Sequence, residues 1–532
     1  MQHQSIDDAS VPTRVLHEGQ GSAQNDAAAG VTLILTPQEV QLCEALREAA
    51  QAFADGRLRL EGVDPTPLTI RIAGGWVRDH LLAAASTTTT STPTSTTTTD
   101  VDVAIDALTG VQFATLVQQH LQLTKRVAVI HANPAQSKHL ETATLRTCGL
   151  DVDYTQLRAH EVYTEHSRIP TVVVGTPLQD AQRRDFTANA LFFNLHTRSI
   201  EDWTGRGVGD LFGGRLVTPL DPEQTFRDDP LRLLRAVRFA VRLDWTLDEA
   251  IVQVSGTSLA KVSRERVGSE LEGMLSGKGA RPTRALELLV DLHLAGEVFG
   301  PAETWSRSKS LVQCLDRVQS QWVLATSNTE ASTLVDSRLL PLAVFLSPLR
   351  GMSYTSSSSR PIPWISHVVK ERLKFKNKDV AALTTIAAQL DAFATLLREP
   401  PVCRLDAGLL LRATKELWVT CLWTAVVVLQ EEEQDQDWVS RGLETYQAIV
   451  VRLHLDECWK QKPLLNGKEL MTELELTKGP IVQTYVEEQT RWMLLYPDGS
   501  PDECRAHLRK VKRHLEGFPT DRESSPKKSN VG

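Results

Sequence analysis

The stretch LTIRIAGGWVRDHLL, residues 68–82, decides the fold class of this 532-residue chain. Its first apolar residues predict a short buried strand, which Gly74 and Gly75 end at the start of a helix. The stretch DVDVAI, residues 100–105, alternates acidic and apolar residues and predicts a second strand. A helical pattern and three further strand patterns follow within 109–158. These elements together predict a mixed α/β domain.

The remainder of the chain has a different pattern. Strand signals fade from about residue 226, and long helical patterns follow at 230–243, 280–299, 380–398, 407–430 and 437–455. The fold class expected is therefore α+β, with a mixed α/β head followed by all-helical domains. A chain of this length exceeds one ordinary core, which also predicts several domains.

Composition excludes several classes of protein. The net charge is −8, from 58 basic and 66 acidic residues, which argues against indiscriminate nucleic-acid binding but allows a local basic surface. No apolar run looks long enough to span a bilayer, so no membrane association is expected. The 7 cysteines include no C-x-x-C pair and predict reduced thiols in an intracellular protein. The first 30 residues have no apolar signal region and are expected to be a disordered leader.

Asp100 and Asp102 form the first candidate site. Side chains two apart on a strand point to the same face, so the two carboxylates converge. Two close acids repel each other, and a divalent cation such as Mg²⁺ keeps both ionised. The alternative is an exposed strand end that carries two acids by chance. Asp106 is an even number of residues from this pair, but it is expected to begin the following helix.

Two further patterns indicate nucleotide binding. The Gly74-Gly75 turn lets backbone amides approach a triphosphate, although a simple strand–helix turn has the same appearance. In residues 229–238 a polar stripe recurs every three residues on an otherwise apolar helix. An arginine fork and an aspartate on such a stripe can read the edge of a cytosine. The alternative for Asp229, which precedes Pro230, is a helix N-cap.

Taken in order, the motifs resemble a known family. They are GGWVRD (74–79), D-x-D (100–102), RRDFTANAL (183–191), DWTG (202–205), RDDPLRLLRAVRF (227–239) and RER with a later glutamate (264–270). This order is similar to that of the class II tRNA nucleotidyltransferase/poly(A) polymerase family, eukaryotic type. The first two motifs also resemble the superfamily that includes DNA polymerase beta. The resemblance covers about the N-terminal half of the chain.

The resemblance implies an activity. It predicts an enzyme that adds C, C and A to the 3′ end of tRNA without a template, using CTP and ATP, releasing pyrophosphate, and holding two Mg²⁺ ions. Alternatives within the family are a poly(A) polymerase or an enzyme that adds only CC or only A. The retained segment 127–142 and a looser C-terminal resemblance favour full CCA addition. A catalytically inactive RNA-binding protein is the alternative from another class.

The resemblance also assigns residues. Asp100 and Asp102 are expected to be catalytic and to bind metal, with Asp153 as a third acid and Glu141 as a weaker candidate. Arg266 and Glu270 are expected to brace the neck helices without touching substrate, and Arg183 is a weaker candidate for nucleotide contact. The residues expected to bind nucleotide are Gly74, Gly75, Arg78, Arg184, Asp185, Asn189, Asp229, Arg232, Arg235 and Arg238.

Domain boundaries and partners complete the expectations. Two basic runs are candidates for contact with the tRNA partner, with an ordinary solvated surface as the alternative for each, and the oligomeric state is left open. The compartment is expected to be the cytoplasm, with the nucleus or mitochondrion as further options. The residues expected to contact tRNA are Lys370, Arg372, Lys374, Lys376, Arg509 and Lys512. The expected domains are a leader (1–30), a head (31–200) with a mobile Ser/Thr-rich insertion (86–99), a neck (201–280), a body (281–400), a tail (401–518) and a disordered end (519–532).

Overall fold

The protein is described by a computed structural model in which the chain divides into two compact units, Met1–Pro301 and Ala302–Gly532. The residues that the structure describes are 10–12, 15–16, 32–86, 100–130, 141–158, 174–256, 258–300, 303–326, 336–355, 360–399 and 401–515. The predicted α+β class is confirmed, because the first unit contains a mixed sheet and the second is mainly helical.

An eight-stranded sheet forms the centre of the first unit. Its strands are β2 (Val15–Leu16), β4 (Ile70–Ala73), β5 (Asp100–Ile105), β6 (Ala128–Ile130), β7 (Thr142–Thr147), β8 (Leu150–Gln156), β9 (Phe192–Asn194) and β10 (Ser199–Glu201). The order across the sheet is β2-β10-β9-β4-β5-β8-β7-β6. Neighbours are antiparallel except for the parallel pairs β5/β8 and β10/β2. Strands β4 and β5, which carry the two head motifs, are therefore adjacent at the centre.

One face of this sheet is covered by α1 (Pro37–Ala54) and α3 (Gly110–His120). Alternate residues of β4 and β5, including Ile72 and Val103, pack there against Leu46 and Phe113 in the main core. A smaller cluster around Ala73, Ala104 and Phe192 lies apart from it. Because strand residues alternate between faces, Asp100 and Asp102 lie opposite the main core.

Short helices and a three-helix group complete the first unit. The helix α7 packs against α9 and α10. The helices are α2 (Gly75–Ser86), α4 (Pro177–Gln182), α5 (Gly207–Phe212), α6 (Pro222–Asp228), α7 (Leu231–Leu243), α8 (Glu249–Gln253), α9 (Arg264–Ser276), α10 (Pro282–Asp291) and α11 (Ala295–Phe299). Two small strand pairs also belong here: β1 (Ser10–Pro12) with β3 (Thr32–Ile34), and β11 (Arg215–Leu216) with β12 (Thr246–Leu247).

Helices dominate the second unit. They are α12 (Trp305–Thr326), α13 (Leu339–Leu346), α14 (Trp364–His367), α15 (Asn377–Arg398), α16 (Arg404–Thr414), α17 (Trp418–Glu432), α18 (Trp438–Gln447), α19 (Gly467–Glu473), α20 (Pro480–Leu495) and α21 (Pro501–Leu515). The helix α17 is almost entirely buried and packs against α12, α13, α15 and α18. A separate core around Leu470, Tyr485 and Trp492 joins α19, α20 and α21.

Several expectations about organisation need correction. The leader is not wholly without structure, because Ser10–Pro12 and Val15–Leu16 pair with strands of the first unit. The remainder is not all-helical, because β13 (Ser353–Tyr354) pairs with β14 (Ile362–Pro363) and β12 also lies in that part of the chain. The predicted body boundary at 281 falls inside the first unit, since α10 and α11 pack with it. Residues 87–99 and 519–532 lie outside the described residues.

The expectation about apolar runs also needs correction. By length and composition, α15 is apolar enough to cross a membrane, the one such helix in the described ranges. Its residues Leu383, Ile386 and Leu390 are buried, and it packs against α17. A core helix meets the same criteria of length and composition, and these contacts are those of a core helix.

Candidate active site

The two acids of β5 lie side by side at the edge of an open cleft. Asp100 and Asp102 are exposed, whereas Val101 between them is buried, as the alternation of a strand requires. The surrounding protein raises the pKa of the Asp102 carboxyl, and the nearby charges of Asp153 and Asp100 raise it further, against the lowering effect of Arg184. The predicted convergence of the two carboxylates is confirmed.

Asp153 lies beside this pair. It is opposite Asp102 in the parallel register of β5 and β8, and its Oδ1 accepts a hydrogen bond of 2.6 Å from the Thr144 hydroxyl. Asp153 does not line the cleft itself. Asp106, in contrast, does not begin a helix as expected: its carboxylate accepts from the Thr69 N–H at 3.0 Å, and Thr109 caps α3 instead.

The glycine turn connects β4 to α2 and lies close to the carboxylates. Gly74 has φ of +71°, a left-handed conformation that favours glycine. A Cβ at this position would lie 2.9 Å from Nη1 of Arg184 and 3.9 Å from Oδ2 of Asp102. The missing side chain therefore allows the turn to pass between the carboxylate pair and a guanidinium group.

Arg184 is fixed at the other side of the turn. Its Nη2 and Nε donate to Oδ2 of Asp180 at 2.9 and 3.1 Å, and its Nη1 donates to the Asn189 carbonyl at 3.2 Å. The guanidinium also lies 4.9 Å from the ring centroid of Phe192. This arrangement holds a positive charge near Asp102, where a triphosphate would need one.

Asp185 is the centre of a buried network. Its Oδ1 accepts from the Asn189 amide at 3.0 Å and its Oδ2 from Nε of Arg235 at 2.8 Å. Asn189 in turn accepts from Nη1 of Arg78 at 2.6 Å. Burial alone would raise the pKa of Asp185, but the charge of Arg235 and the Asn189 hydrogen bond outweigh it and lower that pKa. Asp185 therefore orients Arg235 and Asn189 as an ionised carboxylate.

Phe239 of α7 supports three guanidinium groups. Those of Arg78, Arg235 and Arg238 lie 5.0, 5.4 and 4.5 Å from its ring centroid. Arg238 also donates to Oε2 of Glu270 at 2.7 Å. Such cation–π contacts fix the direction of each fork. The ring thus connects α2, which carries the glycine turn, with the arginine stripe of α7.

Asp229 and Arg232, the expected base-reading pair, are held by different partners. Oδ2 of Asp229 accepts from Nη2 of Arg266 at 2.7 Å, and its Oδ1 accepts from the Leu231 N–H at 3.2 Å, as an N-cap would. Arg232 donates to the carbonyl oxygens of Arg183 at 2.5 Å and Thr225 at 3.2 Å. Asp229 thus makes a cap contact with α7 and also lines the cleft, and its reading of a base stays a prediction.

The cleft itself has a volume of about 740 Å³, which is within the range of small-molecule sites. All twelve residues expected to bind metal or nucleotide line it. The arginines that line it are Arg78, Arg158, Arg183, Arg184, Arg232, Arg235, Arg238, Arg242 and Arg266. The aspartates that line it are Asp100, Asp102, Asp180, Asp185 and Asp229. A cleft richer in arginine than in aspartate, with one exposed carboxylate pair, suits a polyphosphate bound beside a cation.

Comparisons with known proteins agree with this geometry. Residues 70–217 match the family described as Poly A polymerase head domain. The chain is 33% identical over 468 residues to tRNA nucleotidyltransferase cca2 of Schizosaccharomyces pombe, covering 84% of this chain and 93% of that relative. It is 30% identical over 535 residues to the mitochondrial CCA tRNA nucleotidyltransferase of Saccharomyces cerevisiae, covering 90% and 94%.

The chain belongs to the tRNA nucleotidyltransferase family.

The fold agrees with this assignment. The Bacillus stearothermophilus CCA-adding enzyme, solved in complex with CTP, superposes with a TM-score of 0.58 at 19% identity, covering 91% of this chain and 99% of that one. At this identity the likeness shows a shared fold. The predicted family and enzyme class, a nucleotidyltransferase, are confirmed.

Sequence reasoning missed several residues of this nucleotidyltransferase cleft. Arg266 and Glu270 were expected to brace the neck helices: Arg266 of α9 pairs with Asp229 beside α7, and Glu270 pairs with Arg238 of α7. Arg266 also lines the cleft, which was not expected. Arg242 lies one helical turn beyond Arg238, so helical spacing could have identified it. Asp180 carries no motif signal, apart from its position four residues before Arg184.

The basic runs expected to contact tRNA lie in the second unit. Lys370, Lys374 and Lys376 are exposed, and Lys374 forms an ion pair of 3.0 Å with Glu371. Arg509 of α21 is exposed and pairs with Glu473. The two other candidates, Arg372 and Lys512, are half-buried. The runs are therefore accessible surfaces, and their contact with tRNA stays a prediction.

Proposed function

We propose that this protein adds C, C and A to the 3′ end of tRNA from CTP and ATP, without a nucleic-acid template and with release of pyrophosphate. The observation that carries the proposal is one cleft in which the carboxylates of β5, the glycine turn and the arginine stripe of α7 meet. Its membership of the family, with relatives named CCA tRNA nucleotidyltransferase, supports the same reaction.

We further propose that Asp100 and Asp102 bind two Mg²⁺ ions. Within the described ranges no group of three or more His, Cys, Asp or Glu side chains is placed to hold a metal, so the site rests on this exposed pair. The charge of Asp100 contributes to the raised pKa of Asp102, and such a carboxylate pair suits Mg²⁺, which binds through one or two carboxylates and substrate phosphates. When bound, the ions lower the pKa of the attacking hydroxyl and neutralise the leaving pyrophosphate.

The protein's own groups bind and orient the nucleotide. The start of α2 at Gly75 offers backbone N–H groups where the helix dipole favours an anion, whereas the Gly74 N–H donates to the Leu191 carbonyl at 3.0 Å. Arg184 adds a fixed positive charge on the opposite side of the turn. This enclosure holds the triphosphate next to the carboxylate pair, so that the reacting groups are already aligned.

Base choice is assigned to Asp229 and Arg232. A carboxylate accepts from the exocyclic amine of cytosine or adenine, whereas a guanidinium donates to a ring nitrogen. Uracil has a carbonyl oxygen in place of the amine and an N–H in place of the acceptor nitrogen, so it does not match this pair. Arg266 fixes Asp229, and two carbonyl groups fix Arg232, so both side chains are held before the base enters. Protein side chains can therefore replace a template base.

The nearest alternatives are a poly(A) polymerase and an enzyme that adds only CC or only A. Both would use the same cleft, so these residues do not separate them. Of the segment 127–142, which the family resemblance implicates in A addition, residues 131–140 lie outside the described residues. For the compartment, the Saccharomyces cerevisiae relative is named mitochondrial, which favours the mitochondrion among the options.

Product sequencing tests this proposal. A tRNA that lacks CCA is incubated with CTP alone, ATP alone or both, and tRNA ending in CC is incubated with ATP. We expect two C residues from CTP, three nucleotides from the mixture, and one A on the CC end. A long adenylate ladder would favour a poly(A) polymerase, and no incorporation would favour an inactive RNA-binding protein.

The metal assignment has its own variant. Asp102→Ala removes half of the carboxylate pair, and we expect incorporation of both CTP and ATP to fall by a factor of about 1000 or more, as loss of several kcal/mol of charge stabilisation requires. Binding of tRNA, measured by filter binding, should remain near wild type. Incorporation at the wild-type rate would contradict the metal assignment.

A further inference from the structure

A second buried polar cluster lies on the far side of α2 from the arginine network. Glu39, in the first turn of α1, is only 3% exposed. Its Oε1 accepts a hydrogen bond of 2.7 Å from Nε1 of Trp76 and lies 3.1 Å from Nε2 of His80. Its Oε2 accepts from the Thr36 N–H at 2.8 Å and from the Thr36 hydroxyl at 2.9 Å. Both carboxylate oxygens are thus engaged.

His80 completes the contact with Trp76. The two rings stack with centroids 3.9 Å apart, and Nδ1 of His80 lies 2.9 Å from the Trp76 carbonyl one turn earlier. Glu39 therefore binds the indole at its N–H edge, and His80 stacks on its face. His80 also contacts the main-chain carbonyl of Trp76. Trp76 is 2% exposed, so these contacts take place out of bulk water.

Trp76 connects this cluster to the active site. It directly follows Gly74 and Gly75 and lines the nucleotide cleft. The turn has no side chains of its own; the Gly74 N–H donates to the Leu191 carbonyl at 3.0 Å, and on its other side the turn continues directly into the first turn of α2, which Trp76 anchors. The N–H groups at the start of α2 are useful only if their positions are fixed, because misplacement by about 1 Å can cost a factor of about 100 in rate.

We propose that Glu39 is a positioning residue for the incoming nucleotide: by holding Trp76 and His80, it fixes the first turn of α2 and hence the Gly74–Gly75 turn against the triphosphate. Glu39 lies in α1, outside the motifs of the cleft. It touches neither substrate nor the carboxylate pair.

The chemistry of Glu39 suits this task. Burial by itself raises the pKa of its carboxyl, but the hydrogen bond and charge of His80 and the donors of Thr36 outweigh burial and lower the pKa to about 2. The side chain is therefore a carboxylate at neutral pH, and charge-assisted hydrogen bonds of this kind are short and strong. An apolar residue here would leave Trp76 Nε1 without its acceptor.

The inference rests on the proposed function, because it assumes that the Gly74–Gly75 turn binds the triphosphate. The experiment uses the full chain and compares Glu39→Ala with Glu48→Ala. Glu48 is a matched control on the same helix, since it also pairs with a histidine, His120 at 3.2 Å, but on the exposed surface. Dissociation constants for CTP and ATP are measured directly, and KM values for nucleotide and tRNA by incorporation.

We expect Glu39→Ala to raise Kd and KM for both nucleotides by the same factor, about tenfold, since the variant removes the charge-assisted hydrogen bond from Trp76, the contact next to the glycine turn. KM for tRNA should stay within about twofold of wild type, and Glu48→Ala should leave every constant unchanged. Glu39→Gln, whose amide oxygen can still accept from Trp76, should restore most of the affinity. A wild-type Kd for CTP in folded Glu39→Ala, or a loss of kcat alone, would overturn the proposal.

A double-variant cycle with Trp76→Phe guards against a purely structural effect. Phe keeps an aromatic ring but removes the donor to Glu39. The variant that carries both Glu39→Ala and Trp76→Phe should therefore bind CTP no more weakly than whichever single variant has the larger Kd. Fully additive losses would mean that Glu39 does not act through Trp76. If wild type binds CTP but adds nothing to tRNA, the proposed function fails while the binding comparison still decides the role of Glu39.

Discussion

At the scale of single residues, the cleft depends on a glycine that no other residue can replace. Gly74 combines a positive φ with a close approach to Arg184. A methyl group there adds about 1–2 kcal/mol of backbone strain and also displaces the guanidinium that faces the carboxylate pair. The need for glycine comes from the backbone conformation and the close contact at this one position.

Gly74→Ala should therefore lower kcat/KM for CTP and ATP by a factor of about ten or more, as this strain implies. Gly209→Ala is the control: Gly209 lies within α5, and no atom lies within 4 Å of its would-be Cβ. That variant should keep wild-type kinetics. Equal losses in the two variants would indicate a general effect on the fold, not a role of the turn.

Arg232 gives a second prediction at this scale. Its contacts with the carbonyl groups of Arg183 and Thr225 orient it into the cleft. Arg232→Ala should reduce discrimination of CTP against UTP by a factor of about ten or more, since one base-reading arginine contributes about 1–3 kcal/mol. Incorporation rates for CTP, ATP and UTP measure this. Unchanged selection, with only a lower rate, would assign base choice elsewhere.

At the scale of elements, α7 organises the cleft because its two sides differ. Leu233, Leu234, Val237 and Val241 are buried, whereas the arginines between them lie on the side that lines the cleft. The apolar side sets the position of the helix by packing, and the arginines follow. Helix α9 packs against α7 and supplies Arg266 and Glu270, which pair with Asp229 and Arg238. Contacts from a second helix therefore hold the polar side chains at α7 in place.

The contact between α1 and α2 predicts a pH dependence of stability. Glu39 has a folded-state pKa of about 2, below its ordinary value of 4.5, so it stabilises the folded state above about pH 4.5 and loses this effect as the pH falls toward 2. The difference corresponds to about 3 kcal/mol at most. Glu39→Gln should therefore be less stable than wild type at about pH 6, and the two should converge in acid.

Urea denaturation at several pH values, followed by circular dichroism, measures this convergence. Glu48→Gln serves as the control, because the carboxylate of Glu48 is exposed where it pairs with His120. Exposed ion pairs contribute little to the free energy of unfolding. A constant gap between wild type and Glu39→Gln from about pH 6 to about pH 3 would mean that Glu39 is not ionised in the folded state.

At the scale of the whole molecule, a chain of net charge −8 must bind a polyanion. Local basic surfaces make this possible, because counterion release depends on the cations that touch phosphates and not on the net charge. The exposed lysines of the second unit, Lys370, Lys374 and Lys376, are the surface that the sequence pattern indicates.

Replacing these three lysines with alanine should weaken tRNA binding and reduce the slope of log K against log salt by roughly 2–3, about one for each lysine that no longer binds a phosphate. KM for CTP should not change. Lys462→Ala with Lys468→Ala is the control, since both are exposed in the same unit but lie outside the two runs. An unchanged salt slope would show that the run is an ordinary solvated surface.

Much of the site could be predicted because its residues lie on regular elements. Asp100 and Asp102 share a face by the period of a strand, and the arginine stripe shares one by the period of a helix. Asp180 and Glu39 could not be found in this way. Each acts through residues on other elements or outside its own motif, and such pairing follows only from how the elements pack.

By itself, the sequence determined the mixed α/β head, the mainly helical remainder, the carboxylate pair and the glycine turn, because these depend on local periodicity and on backbone demands. Only the tertiary structure decided that Arg266 holds Asp229, that Glu270 holds Arg238, and that Asp153 lies opposite Asp102. Those contacts join residues on different elements. Packing fixes such distances, whereas local sequence carries no information about them.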